Sequence, residues 1–304
     1  MLTVAPFQRT WPATSVCRDE DFPFPKEATS SGAPVVIDQK EDDWGGAGRL
    51  RRVIFYGLTG LFAAVLSLDF LHHLLDFSDD DGVHHIHVAM HAVITGSMLL
   101  GIALQLRAPA RRVAALQMAF LVAVVTATVA ALTGGIGVLP IAFILVGGVL
   151  SLLHPSRTQI LRPGRIDRAT LVAAVVATPP VIGYALGQFH LQITGADPVH
   201  SSKGHYAVMA SVAISLLVMV VVAASGARGF RVPGWMAGTG AALLGALSIA
   251  GPADSSSLGT GWGIAAIAGG IVVVVLTEWH ARGAATPIEP RSSYPSLQSE
   301  EASF

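Results

Sequence analysis

The sequence predicts an all-α, polytopic membrane bundle of about eight transmembrane helices, with both termini cytoplasmic. Three observations carry that expectation. First, the 304 residues are 52% hydrophobic and only 13% charged, with a mean hydropathy of +0.59, whereas soluble domains carry about 25% charged residues. Second, eight segments approach the roughly 20 apolar residues that a bilayer span needs: 53–76, 84–106, 113–133, 136–153, 169–190, 205–225, 233–251 and 261–281. The fourth is short, and the seventh is rich in Gly and Ala.

Third, the basic residues sort by side. Arg49, Arg51 and Arg52 precede the first span; Arg107, Arg111 and Arg112 fill the second connection; Arg157, Arg162, Arg165 and Arg168 fill the fourth. Arg228 and Arg231 lie in the sixth, and Arg282 and Arg291 follow the last span. The odd-numbered connections hold only Lys203. Cytoplasmic loops carry the Lys/Arg excess, so this alternation supports an even number of spans with both ends inside. The expected location is the cell membrane, and the bilayer is the one partner the composition implies. A net charge of −1 carries no signature of nucleic-acid binding.

Residues 1–48 mix Pro, Gly and charged residues without periodicity and read as a disordered cytoplasmic region; residues 49–282 form the transmembrane domain; 283–304 read as a second disordered cytoplasmic tail. No apolar h-region precedes the first span, which is expected to act as the insertion signal. Cys17 is the single cysteine, which excludes an intramolecular disulfide and any cysteine-based haem or zinc motif.

Span one carries the first half of a polar constellation and span two the second. Asp69, His72, His73 and Asp76 recur at i, i+3, i+4 and i+7, so they share a helix face. His84, His87 and His91 do the same at the start of span two. The short connection makes these helices antiparallel neighbours. Six of the eleven histidines fall between Asp69 and His91. The intervening run Asp79-Asp80-Asp81 lacks the spacing of a calcium loop and reads as solvated.

Spans three and four are joined by Thr133-Gly134-Gly135 and must pack side by side. Span five contains Pro179-Pro180, which predicts a kink and unbonded carbonyls near 175–178. The connection after it carries His190, Asp197, His200 and His205 on the same face of the membrane as the first cluster. Spans seven and eight carry Gly238, Gly240, Gly261, Gly263, Gly269 and Gly270, residues that permit close helix approach. His154 and His280 fall on the opposite, cytoplasmic side.

Nine of the eleven histidines therefore map to the extracytoplasmic face, with Asp69, Asp76, Asp79, Asp80, Asp81, Asp197 and Asp254. Ionisable side chains inside spans are costly and mark function by default. Imidazole suits Zn, Cu, Fe and Ni, with carboxylates completing the coordination. The expected metal ligands are drawn from Asp69, His72, His73, Asp76, His84, His87, His91 and His205, with Zn or Cu as the cofactor. Asp69, His73, His87 and His91 are expected to converge inside the bundle, with Asp69 level with His91 and His73 level with His87. His205 should approach them.

The function expected is binding or handling of a divalent transition metal, for delivery, uptake or a metal-dependent reaction. The alternatives are a haem- or metal-dependent membrane oxidoreductase and a structural, pH-responsive protein whose histidines titrate near 6.5. Membrane di-iron hydroxylases place their histidine boxes on the cytoplasmic side, which this charge pattern opposes. Ser201 and Ser202 lie beside His200 and His205, but no nucleophile motif surrounds them.

Overall fold

The computed structural model describes Trp44 and residues 48–79, 85–134 and 138–285. The expectations for 1–43 and 286–304, and for His84, Asp80 and Asp81, fall outside the described residues, as do the side chains of Asp76 and Asp79. Every regular element among the described residues is helical. The helices are α1 (Gly48–Asp79), α2 (His85–Ala103), α3 (Val113–Leu132), α4 (Val138–Leu153), α5 (Arg168–Thr194), α6 (Pro198–Ser202), α7 (His205–Ala224), α8 (Arg231–Ala250) and α9 (Gly259–Ala285).

Seven of these helices are long and apolar enough to cross a membrane. The remaining expected span is α4, whose 16 residues extend about 24 Å at 1.5 Å per residue, short of a hydrocarbon core of about 30 Å. Leu68, Leu152, Val176 and Trp279 are each at least 70% exposed. A water-soluble surface rarely gathers this much large apolar side chain, whereas lipid covers it without cost.

The interior is filled from α1, α2, α3, α4 and α7. Phe55, Leu66, Met90, Leu116, Met118, Leu150, Met209 and Met219 are fully buried in one cluster. α2 packs against α1, α3, α7 and α8, and α7 against α2, α3, α5 and α8, so these two helices form the centre of the bundle. α8 and α9 pair through glycine. A Cβ on Gly270 would lie 2.3 Å from the Gly238 carbonyl oxygen, and one on Gly245 would lie 2.4 Å from the Gly263 carbonyl oxygen. Gly261 and Gly269 meet nothing within 4 Å and take no part in that seam, while Gly240 faces Leu216 of α7.

Two helix starts are capped by aspartate. Asp167 accepts from the Ala169 and Thr170 amides at the head of α5, and Asp197 accepts from the Val199 and His200 amides at the head of α6. Helix α5 runs without interruption through Pro179 and Pro180. Neither proline has an N–H to give the carbonyl four residues back, and the Val175 and Val176 side chains in that turn face outward. The double proline is absorbed within one continuous helix rather than dividing it.

At the end expected to be cytoplasmic, the connections lock together. Gly164 N–H donates to Ser225 O at 2.9 Å, and Asp167 N–H to Ala224 O at 2.8 Å. Gly226, at φ +63°, lies so close to the Arg165 backbone that a Cβ has no room. His154 is fully buried. Its Nε2–H donates to Pro109 O at 3.1 Å, and its Nδ1 accepts from Ser156 N–H at 3.0 Å. Burial pushes its pKa down to about 4 and the Arg51 charge adds to that, against the opposing hydrogen bond to Pro109. Glu278 pairs with Arg231 at 2.7 Å and accepts from the Trp235 indole at 2.7 Å. The His280 ring lies 4.7 Å from that of Phe230.

Candidate metal centre

The site is built where α1 ends, where α2 and α7 begin, and where the α5–α7 and α8–α9 connections meet them. Its histidines fall into two triads rather than one group. His87, His200 and His205 form the first, and Asp69, His73 and His91 the second. Within each triad the candidate ligand atoms all lie within 4.8 Å of one another. A zinc ion with 2.0–2.1 Å bonds needs tetrahedral ligand atoms about 3.3 Å apart, so each triad is close to a binding geometry and would contract on an ion.

The α1–α2 register explains the division. Thr95 Oγ1 donates to Asp69 Oδ2 at 2.9 Å, and the His73 and His91 rings stack with centroids 3.9 Å apart. Four residues forward on α1 match four residues back on α2, as antiparallel helices require. Asp69 is thus level with Thr95, and His73 with His91. The expected levels, Asp69 with His91 and His73 with His87, are corrected by one helical turn. That turn leaves His87 beyond reach of the Asp69 triad and hands it to His200 and His205.

Hydrogen bonds dictate the tautomers of two imidazoles in the first triad. Gln188 Nε2 reaches the Ser255 carbonyl at 3.4 Å, which turns its Oε1 toward Ser256. Oε1 can only accept, so the Ser256 hydroxyl donates to it, at 2.9 Å. With its proton committed, Ser256 Oγ accepts from His87 Nε2 at 2.8 Å. His87 therefore carries its proton on Nε2 and its lone pair on Nδ1. In the same way, Asp197 Oδ2 can only accept from His200 Nδ1, at 2.6 Å, which leaves the lone pair on Nε2. Metal-binding histidines commonly have the second nitrogen held by a carboxylate or hydroxyl in this manner. The hydrogen bond from His200 holds the Asp197 carboxyl below its ordinary pKa, helped by the Val199 and His200 amides against desolvation.

Aromatic and loop groups brace the first triad. The His87 ring stacks on His205 with centroids 4.9 Å apart, and Tyr206 stacks on His200 at 5.7 Å. Tyr206 OH meets Ser255 Oγ at 2.9 Å, and Tyr184 OH donates to Ser256 O at 2.6 Å. Asp254 Oδ1 accepts from Ser256 N–H at 2.7 Å. His87 and His200 are buried, and His205 is half-buried. In the second triad His73 Nε2 lies 3.8 Å from Asp69 Oδ1. His87 of the first triad and His91 of the second lie one turn apart on α2, so the two triads are neighbours.

Of the remaining candidates, only the His72 side chain is among the described residues, and it belongs to neither triad. The His72 side chain is exposed, with its ring 5.4 Å from that of His73. The Asp76 side chain and His84 lie outside the described residues. His200, Gln188, Ser256 and Thr95 were not among the expected site residues. The spacing of Asp197 and His200, three residues apart across a turn, was a local signal for the carboxylate–imidazole pair. Ser256 and Gln188 had none, because their roles depend on three separate connections meeting.

The fold and these triads define an all-helical bundle, apolar enough for multiple membrane passes, with a histidine-rich cluster at one end. No protein-family profile, curated protein or solved structure matches this chain.

Proposed function

We propose that this chain is a multi-pass cell-membrane protein that binds a divalent transition metal at a histidine-rich, extracytoplasmic face. In this reading α4 completes an eight-span bundle with both termini in the cytoplasm. The observation that carries the proposal is the His87–His200–His205 triad with two of its imidazoles already in defined tautomers, through Ser256 and Asp197. Each of these two neutral imidazoles has one nitrogen held by a hydrogen bond and keeps the other for a metal, as ligating histidines commonly do. Zn or Cu suits an all-imidazole position. Three protein ligands leave a fourth position for water, substrate or a receiving ligand.

The surroundings favour handling at one face over passage through the bundle. Inward from His91, the buried part of α2 presents Ile94, Met98 and Ile102, with Thr95 already bonded to Asp69 and the Ser97 hydroxyl to the Val93 carbonyl. Capture and hand-off of the metal, or a reaction at its open position, fits this arrangement. A haem is disfavoured between His73 and His91, because rings 3.9 Å apart leave no space for a macrocycle.

Metal analysis and competitive titration with Zn and Cu, on protein purified in mild detergent, test the reading. Bound metal with micromolar or tighter affinity (about −8 kcal/mol or better), reduced in amount by His87→Ala and by His200→Ala, is the expected result. Metal-free protein that binds neither ion below millimolar concentration overturns it.

A further inference from the structure

We infer that the two triads are two separate metal positions, occupied together: an outer all-imidazole position (His87, His200, His205) and an inner mixed position (Asp69, His73, His91). This rests on the metal-binding reading above and goes beyond it in the number of ions and their chemistry.

Geometry argues against one shared ion. The six side chains divide into two groups of mutually close ligand atoms. The division falls between His87 and His91, which are one turn apart on α2, or about 6 Å along its axis. An ion with bonds of about 2.1 Å reaches the ligands of one triad only. The same spacing is short enough for two bound ions to sense one another.

Charge allows double occupancy. Two divalent ions bring four positive charges into a site where α2 and α7 also direct their N-terminal, positive dipole ends. Asp69 supplies a negative charge directly to the inner position. Asp197 supplies one to the outer position through His200. Two of the four charges are thus met nearby, and hydroxide at the open coordination positions would meet the rest. A lone ion in the outer triad would leave Asp69, beside His73 and His91, without a cation of its own.

The donor sets differ, so the positions differ in preference. Three neutral imidazoles favour Cu or Zn, whereas a carboxylate with two imidazoles is a harder set that accepts Zn and Co and tolerates Mn. Thr95 fixes Asp69 so that Oδ1 faces His73. It acts as a positioning residue for the inner position, as Ser256 and Asp197 do for the outer.

The test uses the full chain in mild detergent, stripped of metal and dialysed against Co(II). Two Co(II) ions per chain are expected, one in His200→Gln and one in Asp69→Asn. Loading with Cu(II) should give a dipolar-coupled half-field resonance in the parent protein, lost in either variant. Saturation at a single ion, abolished by both variants, overturns the two-position inference and leaves the metal reading standing. Two ions without magnetic coupling, or two ions unaffected by either variant, also overturn it. No binding at all removes both readings. Should either variant fail to fold, His205→Asn and His73→Gln take their places, and the stoichiometry and coupling of the parent protein decide by themselves.

Discussion

Replacing Ser256 with alanine tests the tautomer argument most directly. The side chain is fully buried, and its single oxygen joins His87 Nε2 at 2.8 Å to Gln188 Oε1 at 2.9 Å. Its removal strands one buried donor and one buried acceptor, each costing about 1–3 kcal/mol, so a loss near 3 kcal/mol is expected. The imidazole of His87 is then free to change tautomer and turn. Loss of an orienting partner lowers metal affinity about 10–100-fold, equivalent to about 1.4–2.7 kcal/mol. Thermal unfolding without metal reads the first effect, and competition with a chromogenic zinc chelator reads the second. Asp197→Asn separates the two, because its carboxylate is only half-buried and asparagine caps a helix as aspartate does; it should lower affinity in the same range with a much smaller change in stability. If Ser256→Ala binds zinc within roughly threefold of the parent, His87 does not ligate through an oriented Nδ1 and the argument fails.

Three further predictions concern other parts of the chain. His154 is held neutral in the fold with its pKa lowered to about 4 from 6.5, so its contribution is complete above pH 6.5 and is lost as pH falls toward 4. That displacement is worth about 3 kcal/mol at 1.36 kcal/mol per pH unit. Denaturation in detergent at pH 7.5 and pH 5 should show a stability decrease that His154→Gln reduces, and equal decreases in both proteins would contradict it. Gly270→Ala should destabilise the α8–α9 pair by about 1–3 kcal/mol, since its new Cβ would meet backbone at 2.3 Å. Gly269→Ala, with open space around it, should be neutral, so a similar unfolding temperature for both variants would contradict the glycine seam. Reporter fusions placed after Ser78 and after Arg165 should report opposite sides of the membrane, and the same side for both would break the eight-span assignment.

Much of this architecture was legible from composition and period alone. A run of apolar residues has one stable backbone solution in lipid, because every peptide group must bond within its own helix. The helices therefore appear where hydropathy placed them, within a few residues, and Gly238, Gly263 and Gly270 allow the close approach expected of them, whereas Gly240, Gly261 and Gly269 lie outside the α8–α9 seam. The helical spacing of Asp69 with His73, and of His87 with His91, placed each pair on one face for the same local reason. Which faces would meet was a different matter. Helix period fixes direction around an axis but not the sliding of one helix along another, and packing of α1 on α2 placed Asp69 against Thr95 and His73 against His91. That one-turn offset divided a single expected cluster into two. The outer triad then required His200 from a five-residue helix, Gln188 from the end of α5 and Ser256 from the α8–α9 connection. These residues are far apart in the chain and carry no shared spacing. Only the packing of α2, α5, α7 and the last connection brings them within hydrogen-bonding distance, because contacts between distant segments depend on the summed geometry of the whole bundle.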